Sequence, residues 1–88
     1  MTLKKLFDLR GKRALVTGAT GHLGRVICET LAELGAELIL MDITASKILK
    51  LQSQLRNCWK TRSIVIPCDL EFENQRAQAI HKIKSRIS

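Results

Sequence analysis

"LVTGATGHLG", residues 15–24, places Gly18, Gly21 and Gly24 at strict intervals of three, directly after an apolar run. Glycine in a helix interior costs roughly 0.5–1 kcal/mol relative to alanine, so three of them in one stretch need a specific reason. From His22 onward the apolar residues recur at helical spacing, which puts the glycines at the entry to a helix. The stretch therefore predicts a strand, a glycine-rich turn and a helix, in that order.

Strand and helix signals alternate along the rest of the chain. Three short apolar runs are typical of buried strands, and each precedes a longer stretch with helical periodicity. The predicted strands cover residues 13–17, 37–42 and 63–69. The predicted helices cover residues 22–34, a stretch from a cap at Thr44 or Ser46 to about Trp59, and a stretch from about Glu71 to Ile87.

The same spacing predicts which helical side chains face the core. In the first helix these are Leu23, Val26, Ile27, Leu31 and Leu34. In the last helix they are Phe72, Ala79, Ile80, Ile83 and Ile87.

Three strand–helix repeats predict a parallel sheet with right-handed crossovers. The predicted fold class is α/β, a three-layer, Rossmann-type half-domain with β-α-β-α-β-α topology and strand order 3-2-1. Such a unit is one mononucleotide-binding half of the doubly wound dinucleotide-binding fold.

The glycine-rich turn is a candidate phosphate site. A helix N-terminus presents free backbone N–H groups and a positive dipole end, to which phosphate binds. Gly18 is predicted to make the turn, Gly21 to let the backbone approach a pyrophosphate, and Gly24 to let helix and strand pack closely. The spacing differs from the generic G-x-G-x-x-G. The alternative is that these glycines only turn the chain.

Asp42 is the second candidate binding residue. It ends the second predicted strand eighteen residues after Gly24, close to the separation of about 20 residues expected of an acid that binds the adenosine ribose. A carboxylate here repels a 2′-phosphate, and Ile43 supplies no positive charge to offset that repulsion. Asp42 therefore favours NAD over NADP as the cofactor. The alternative is a solvated aspartate in a turn.

Residues 6–24, "LFDLRGKRALVTGATGHLG", resemble the start of a short-chain dehydrogenase/reductase, and the resemblance covers essentially the whole chain. In that family a Thr-Gly and spaced glycines after the first strand bind the cofactor pyrophosphate, which matches Thr17 and Gly18. An acid ending the second strand selects NAD, and an Asp with a following aliphatic residue after the third strand holds the adenine. The cofactor-binding residues that the resemblance implies are Gly18, Thr20, Gly21, His22, Leu23, Gly24, Asp42, Asp69 and Leu70.

His22 departs from the family's short branch, whose T-G-x-x-x-G-x-G pattern has a glycine at this position. The T-G-x-x-G-x-x-G found here resembles the extended branch, which includes epimerases and dehydratases, whereas the lead-in "LRGKRALVTG" resembles the short branch. We favour the short branch and keep the extended branch as the alternative. His22 is expected in the loop or the first helical turn near phosphate, without a catalytic role.

The catalytic groups of the family have no counterpart in this sequence. The resemblance implies a Y-x-x-x-K pair whose Tyr is the general acid/base toward the substrate oxygen, but the chain has no tyrosine. We therefore expect residues 1–88 to be the N-terminal dinucleotide-binding portion of an oxidoreductase, truncated, inactive alone and without a catalytic residue. The complete protein would transfer hydride between nicotinamide and an alcohol or carbonyl substrate. The rival from another class is a non-catalytic nucleotide-binding module.

The net charge of +7 raises the question of nucleic acid. The basic residues are spread along the chain with few aromatic residues between them, so a solvated basic surface is favoured over a nucleic-acid partner, which stays a weaker alternative. No apolar run approaches the length of a membrane span. Three widely spaced cysteines suggest free thiols in a reducing cytoplasm, and no spacing suggests a metal site.

The first predicted strand also has a consequence for assembly. With strand order 3-2-1, residues 13–17 lie at an edge of the half-domain with one side unpaired. Ala14, Leu15 and Val16 carry none of the charges, prolines or bulges that protect natural edges. We therefore expect self-association through this strand, exchange of elements with a neighbour, or marginal folding.

Overall fold

The computed structural model describes residues 8–87 and the side chains of residues 8–86. Strands and helices alternate through this part of the chain, which confirms the predicted β-α-β-α-β-α order. The elements are β1 (Arg13–Thr17), α1 (His22–Glu33), β2 (Glu37–Asp42), α2 (Ala45–Trp59), β3 (Ser63–Pro67) and α3 (Glu73–Ile87).

The three strands form one parallel sheet with β2 between β1 and β3. Leu15 lies opposite Ile39, and Ile39 lies opposite Ile64. The predicted strand order 3-2-1 is confirmed. Because the strands are parallel, the residues that follow all three of them lie at one edge of the sheet, where open α/β sheets bind their ligands.

Alternate residues of β2 face two separate cores. Leu38 and Leu40 belong to the core under α1 and α2, together with Ile48 and Leu55 of α2. Ile39 and Met41 belong to the core under α3, where Ile66, Cys68 and Ala79 are also buried. The sheet thus has helices on both faces, which confirms the predicted three layers.

The predicted buried face of α1 is wrong at three positions. The exposed fraction is 70% for Leu23, 49% for Val26 and 40% for Ile27, while the helix buries the smaller Cys28 and Ala32. These side chains are exposed because α1 lies over β1, an edge strand. Within residues 8–87, β1 pairs only with β2. Only the side of α1 that faces the sheet and α2 is covered by described residues.

The predicted last helix needs corrections at its start and on its buried face. α3 begins at Glu73 instead of Glu71, because Phe72 donates its N–H to the Asp69 carbonyl (3.2 Å) in the preceding turn. Ala79 is buried and Ile83 is half-buried, as predicted.

Phe72 and Ile80 were predicted to be buried but are 53% and 54% exposed. Phe72 lies in the turn before α3, and α3 covers the sheet with only one side of its apolar surface. The prediction for the Ile87 side chain lies outside the described residues. β3 ends at Pro67, two residues earlier than predicted, although the Cys68 N–H still bonds to the Asp42 carbonyl (2.8 Å).

Candidate functional site

The glycine-rich loop between β1 and α1 has two positions where only glycine fits. Gly18 has a φ of +64°, in the left-handed region that disfavours other residues. A Cβ on Gly24 would lie 2.0 Å from the Gly18 carbonyl oxygen, so any side chain there would push the helix off the loop. A Cβ on Gly21 would stand 3.4 Å from that oxygen, an ordinary contact, so the fold itself does not require glycine at Gly21.

The N-terminus of α1 is open at the same place. Gly21 is its N-cap residue, with no side-chain cap and no acidic residue in the first turn. The Gly21 N–H bonds back to the Gly18 carbonyl (3.1 Å), and the first intrahelical bond runs from the Arg25 N–H to the Gly21 carbonyl (2.9 Å). The N–H groups of His22, Leu23 and Gly24 in between have no intrahelical acceptor, which is the geometry that binds phosphate.

Asp42, at the end of β2, is joined to this loop by hydrogen bonds. Its Oδ2 accepts both the Thr20 N–H (2.9 Å) and the Thr20 hydroxyl, and its Oδ1 accepts the Ile43 N–H (2.7 Å). Partial burial raises the pKa of Asp42, but the hydrogen bonds from Thr20 and Ile43 and the charge of Lys47 outweigh it. The pKa of this carboxyl therefore lies below its ordinary value.

The turn after β3 is built around Asp69. Its N–H donates to the Gln75 side chain (2.7 Å), and its Oδ1 accepts the Glu71 N–H (3.0 Å). The Arg76 guanidinium donates to the Leu70 carbonyl and so holds this turn against the start of α3. The Leu70 side chain remains 45% exposed at the carboxyl edge of the sheet.

One cavity at this edge brings four of the predicted binding residues together. Gly18, Asp42, Asp69 and Leu70 line it, with Met41, Ile43, Cys68 and Glu71. The other predicted residues do not line this cavity: Thr20 is connected to it through Asp42, and His22 and Leu23 are exposed on the first turn of α1. Sequence reasoning treated Ile43 only as a missing positive charge. Ile43 and Leu70 both line this cavity and add exposed apolar surface to it.

A second concave surface lies between α1 and α2. Its lining residues are Thr20, Arg25, Lys47, Lys50, Leu51 and Gln54. We call it the cationic groove, because three of these side chains are positively charged and none is acidic. The sequence analysis did not predict this groove. A signal was present, because basic residues lie early in two consecutive helices, and a helix dipole favours acidic residues at that end.

Two further properties of the described residues concern metals and membranes. Within residues 8–87 no three His, Cys, Asp or Glu side chains come together in a way that could hold a metal ion. Over the same residues, no helix has both the length and the apolar character that a membrane crossing requires.

A family model described as "short chain dehydrogenase" matches residues 12–88. The chain belongs to this family. Short-chain dehydrogenases are oxidoreductases that bind an NAD(P) nucleotide. This match agrees with the short branch that the lead-in to β1 favoured.

Individual short-chain dehydrogenases extend the comparison. The chain is 34% identical over 91 residues to a tropinone reductase homolog from Arabidopsis thaliana, an alignment that covers 100% of the chain and 33% of that relative. A short-chain type dehydrogenase/reductase from Mycobacterium marinum superimposes with a TM-score of 0.84 at 26% identity, over 97% of the chain and 34% of that structure.

The fold also matches L-sorbose reductase from Gluconobacter frateurii, solved with NADPH and L-sorbose. The TM-score is 0.87 at 20% identity, over 92% of the chain and 31% of that structure. The chain thus spans about a third of the length of each of these proteins.

Proposed function

We propose that this chain is the part of a short-chain dehydrogenase that binds the adenosine and pyrophosphate half of NAD(P). The observation that carries the proposal is the meeting of Gly18, Asp42 and Asp69 in one cavity at the carboxyl edge of a parallel sheet. The uncapped N-terminus of α1 adjoins it and offers backbone N–H groups to a phosphate.

Each part of the site has a task in this proposal. The loop from Gly18 to Gly24 holds the pyrophosphate through the N–H groups of the first turn of α1, including those of His22 and Leu23. The close contact between Gly24 and the Gly18 carbonyl supports the proposal, because it fixes the helix end against the loop. Thr20 positions Asp42 by two hydrogen bonds.

The adenosine is bound in the cavity lined by Asp42, Asp69 and Leu70. Asp42 Oδ1 accepts one backbone N–H, so a lone pair remains for a ribose hydroxyl. Asp69 and Leu70 hold the adenine, with Ile43 and Leu70 as apolar contacts for the ring. Because the pKa of Asp42 lies below its ordinary value, the carboxylate is charged at neutral pH and opposes a 2′-phosphate. This favours NAD over NADP.

The reaction of the complete protein is a further proposal. In the complete protein, a bound nicotinamide would supply a hydride to a carbonyl carbon or accept one from an alcohol carbon. Residues 1–88 contain no tyrosine, so the general acid/base that the family resemblance implies would come from another part of the protein. A right-handed crossover through α3, which lies on the face opposite α1 and α2, would place a fourth parallel strand beside β1.

An NMR titration of the 88-residue chain with AMP tests the binding. We expect a dissociation constant near 1 mM, equivalent to about −4 kcal/mol, because the chain holds only half of the dinucleotide. The perturbed amides should be those of residues 18–24, 42 and 69–70. Adenosine, which lacks the phosphate, is the matched control and should leave residues 18–24 unperturbed. Perturbations elsewhere, or no saturable binding, would refute the proposal.

A turnover assay tests the assignment of catalysis to another part of the protein. The homogeneous chain, mixed with NADH and a panel of ketones and aldehydes, should consume no cofactor above the protein-free rate. Robust turnover would show that residues 1–88 hold a catalytic group after all.

A further inference from the structure

Gln75, the third residue of α3, reaches back to the turn of residues 69–72. Its side-chain oxygen accepts the Asp69 N–H (2.7 Å), and this pair is partly buried. In a capping box, a glutamine at the third helical position accepts the N–H of the residue just before the helix. That residue is Phe72, whose N–H already donates to the Asp69 carbonyl (3.2 Å). Gln75 therefore joins α3 to the first residue of the turn instead.

Two other hydrogen bonds hold the same turn, but they are exposed. Asp69 Oδ1 accepts the Glu71 N–H (3.0 Å), and the Arg76 guanidinium donates to the Leu70 carbonyl. A hydrogen bond shielded from water is more costly to lose than an exposed one, because the donor left behind finds no water to replace its partner. Gln75 is therefore the side chain on which the backbone at Asp69 depends most.

The turn leaves one acceptor and one donor without a partner. Within residues 8–87, neither Asp69 Oδ2 nor the Leu70 N–H makes a hydrogen bond. Both residues line the cavity that the proposed function assigns to adenosine. An acceptor beside a donor complements the amino group and the adjacent ring nitrogen on the Watson–Crick edge of adenine. Hypoxanthine carries a carbonyl and an N–H at these two positions, so both contacts would be reversed.

We propose that Gln75 is a positioning residue for recognition of the adenine base. By accepting the Asp69 N–H, it holds Asp69 Oδ2 and the Leu70 N–H in one relative orientation, and this orientation discriminates adenine from a base with a carbonyl in place of the amino group. Gln75 does not line the cavity and acts through the turn. The inference rests on the proposed function, which places adenine beside Asp69 and Leu70.

The decisive quantity is the ratio of two dissociation constants, that of inosine 5′-monophosphate (IMP) over that of AMP, measured by NMR titration of the 88-residue chain. The two nucleotides carry the same ribose and phosphate, so the ratio reports contacts to the base alone. Gln75→Leu removes the acceptor, whereas Gln75→Glu keeps an accepting oxygen, and its charge acts equally on both phosphates. Gln78→Leu is the matched control, because Gln78 is exposed in the next turn of the same helix.

The parent chain should bind AMP about tenfold more tightly than IMP, since IMP forfeits two hydrogen bonds. Gln75→Leu should bring the ratio close to one, by weakening the binding of AMP and leaving that of IMP unchanged. Gln75→Glu and Gln78→Leu should keep the ratio of the parent. The Asp69 amide should exchange faster with solvent in Gln75→Leu than in the Gln78 control, because only the first substitution removes its acceptor.

Three results would overturn the proposal while AMP still perturbs residues 18–24, 42 and 69–70, as the proposed function requires. They are a ratio near one in the parent, the parent's ratio retained in Gln75→Leu, and an equal weakening of AMP and IMP, which would mean a purely structural role. If AMP does not bind to the parent at all, the proposed function fails and this inference fails with it. If Gln75→Leu does not fold, Gln75→Asn replaces it, since its side chain is one methylene shorter and its oxygen falls short of the Asp69 N–H.

Discussion

Thr20 and Asp42, which lie 22 residues apart in the chain, are joined by two hydrogen bonds to a single carboxylate oxygen. The bonds attach the middle of the glycine-rich loop to the end of β2. Asp42 therefore shapes the loop itself, and in the proposed function it also offers an acceptor to the ribose. The two effects can be measured separately. The free energy of unfolding reports how much Asp42 stabilises the loop, and the affinity for a nucleotide reports its role in binding.

The first prediction concerns Asp42→Asn and pH. The hydrogen bonds lower the pKa of Asp42 in the folded chain, so its carboxylate stabilises the fold above the unfolded pKa of about 3.9. This stability is lost as the pH falls through the lower, folded pKa. At neutral pH the substitution should reduce the free energy of unfolding by about 1–2 kcal/mol. Urea unfolding at pH 7 and pH 3 should show the difference shrinking toward zero in acid.

Thr20→Val provides the matched partner for that experiment. It removes the hydroxyl donor and keeps the backbone N–H that also bonds to Asp42. In a double-mutant cycle with Asp42→Asn, the coupling free energy at neutral pH should be about 1 kcal/mol. A loss of stability at Asp42 that is independent of pH and additive with Thr20→Val would contradict the role given to this pair.

The second prediction compares alanine at two glycines three residues apart. Gly24→Ala brings a Cβ to 2.0 Å from the Gly18 carbonyl oxygen, so we expect a loss of at least about 2 kcal/mol in stability. Gly21→Ala meets the same oxygen at 3.4 Å and should change stability by less than about 0.5 kcal/mol. Thermal or urea unfolding of the two variants checks the difference.

Gly21→Ala also separates folding from binding. If Gly21 lets a pyrophosphate approach the backbone, the alanine variant should fold normally and bind AMP several-fold more weakly. Equal affinity for AMP in the Gly21 variant and in the parent chain would leave Gly21 without the binding role proposed for it.

The third prediction concerns the three free thiols. Burial and the neighbouring charge of Glu29 raise the pKa of Cys28 to about 11, and Cys68 is buried as well, whereas Cys58 is exposed on α2. A thiol reagent at mildly alkaline pH should therefore modify Cys58 rapidly and the other two only on unfolding. Cys58→Ser should abolish the fast phase. A fast phase that survives this substitution would mean that the core around Cys28 or the core around Cys68 opens readily.

Much of this architecture was predictable because local and topological signals agree. The strands are continuous apolar runs, and the hand of the crossovers leaves few sheet orders to consider. Gly18 was predicted to make the turn and has the left-handed φ that a turn requires. Gly24 was predicted to let helix and strand pack closely, and the structure shows this close approach between the helix and the loop at Gly18. The meeting of Asp42 with Asp69 followed from the parallel strands, whose carboxyl ends share an edge.

The exposure of Leu23 and Ile80 was not predictable in the same way. Periodicity defines the apolar face of a helix, but the neighbours decide how much of that face is covered. The cationic groove was missed for a related reason. Arg25 and Lys47 come from different helices, so their proximity depends on how α1 packs against α2, and no spacing within one element encodes it.

The last prediction concerns the outer side of β1. The Lys12 carbonyl accepts the Glu37 N–H (2.9 Å), so the backbone groups of Lys12 point toward β2. Alternate residues of a parallel strand form hydrogen bonds with the same neighbouring strand. The backbone N–H and C=O groups of Ala14 and Val16 therefore also point toward β2. The Leu15 N–H then points to the side that has no strand within residues 8–87, beside a side chain that is 50% exposed. We expect the 88-residue chain to self-associate through this edge, because unpaired strand edges pair with other chains.

Leu15→Lys should prevent this association, since a charge on an edge strand opposes pairing. Leu49→Lys is the matched control, because Leu49 is 53% exposed but lies on α2, away from the edge. Sedimentation velocity over a concentration series should show association in the parent chain and the Leu49 variant, and a monomer in the Leu15 variant. Hydrogen exchange at the Leu15 amide should slow as the parent associates. A parent chain that stays monomeric while the Leu15 amide is strongly protected would mean that β1 already has a second neighbour, and the three-stranded sheet would be wrong at that edge.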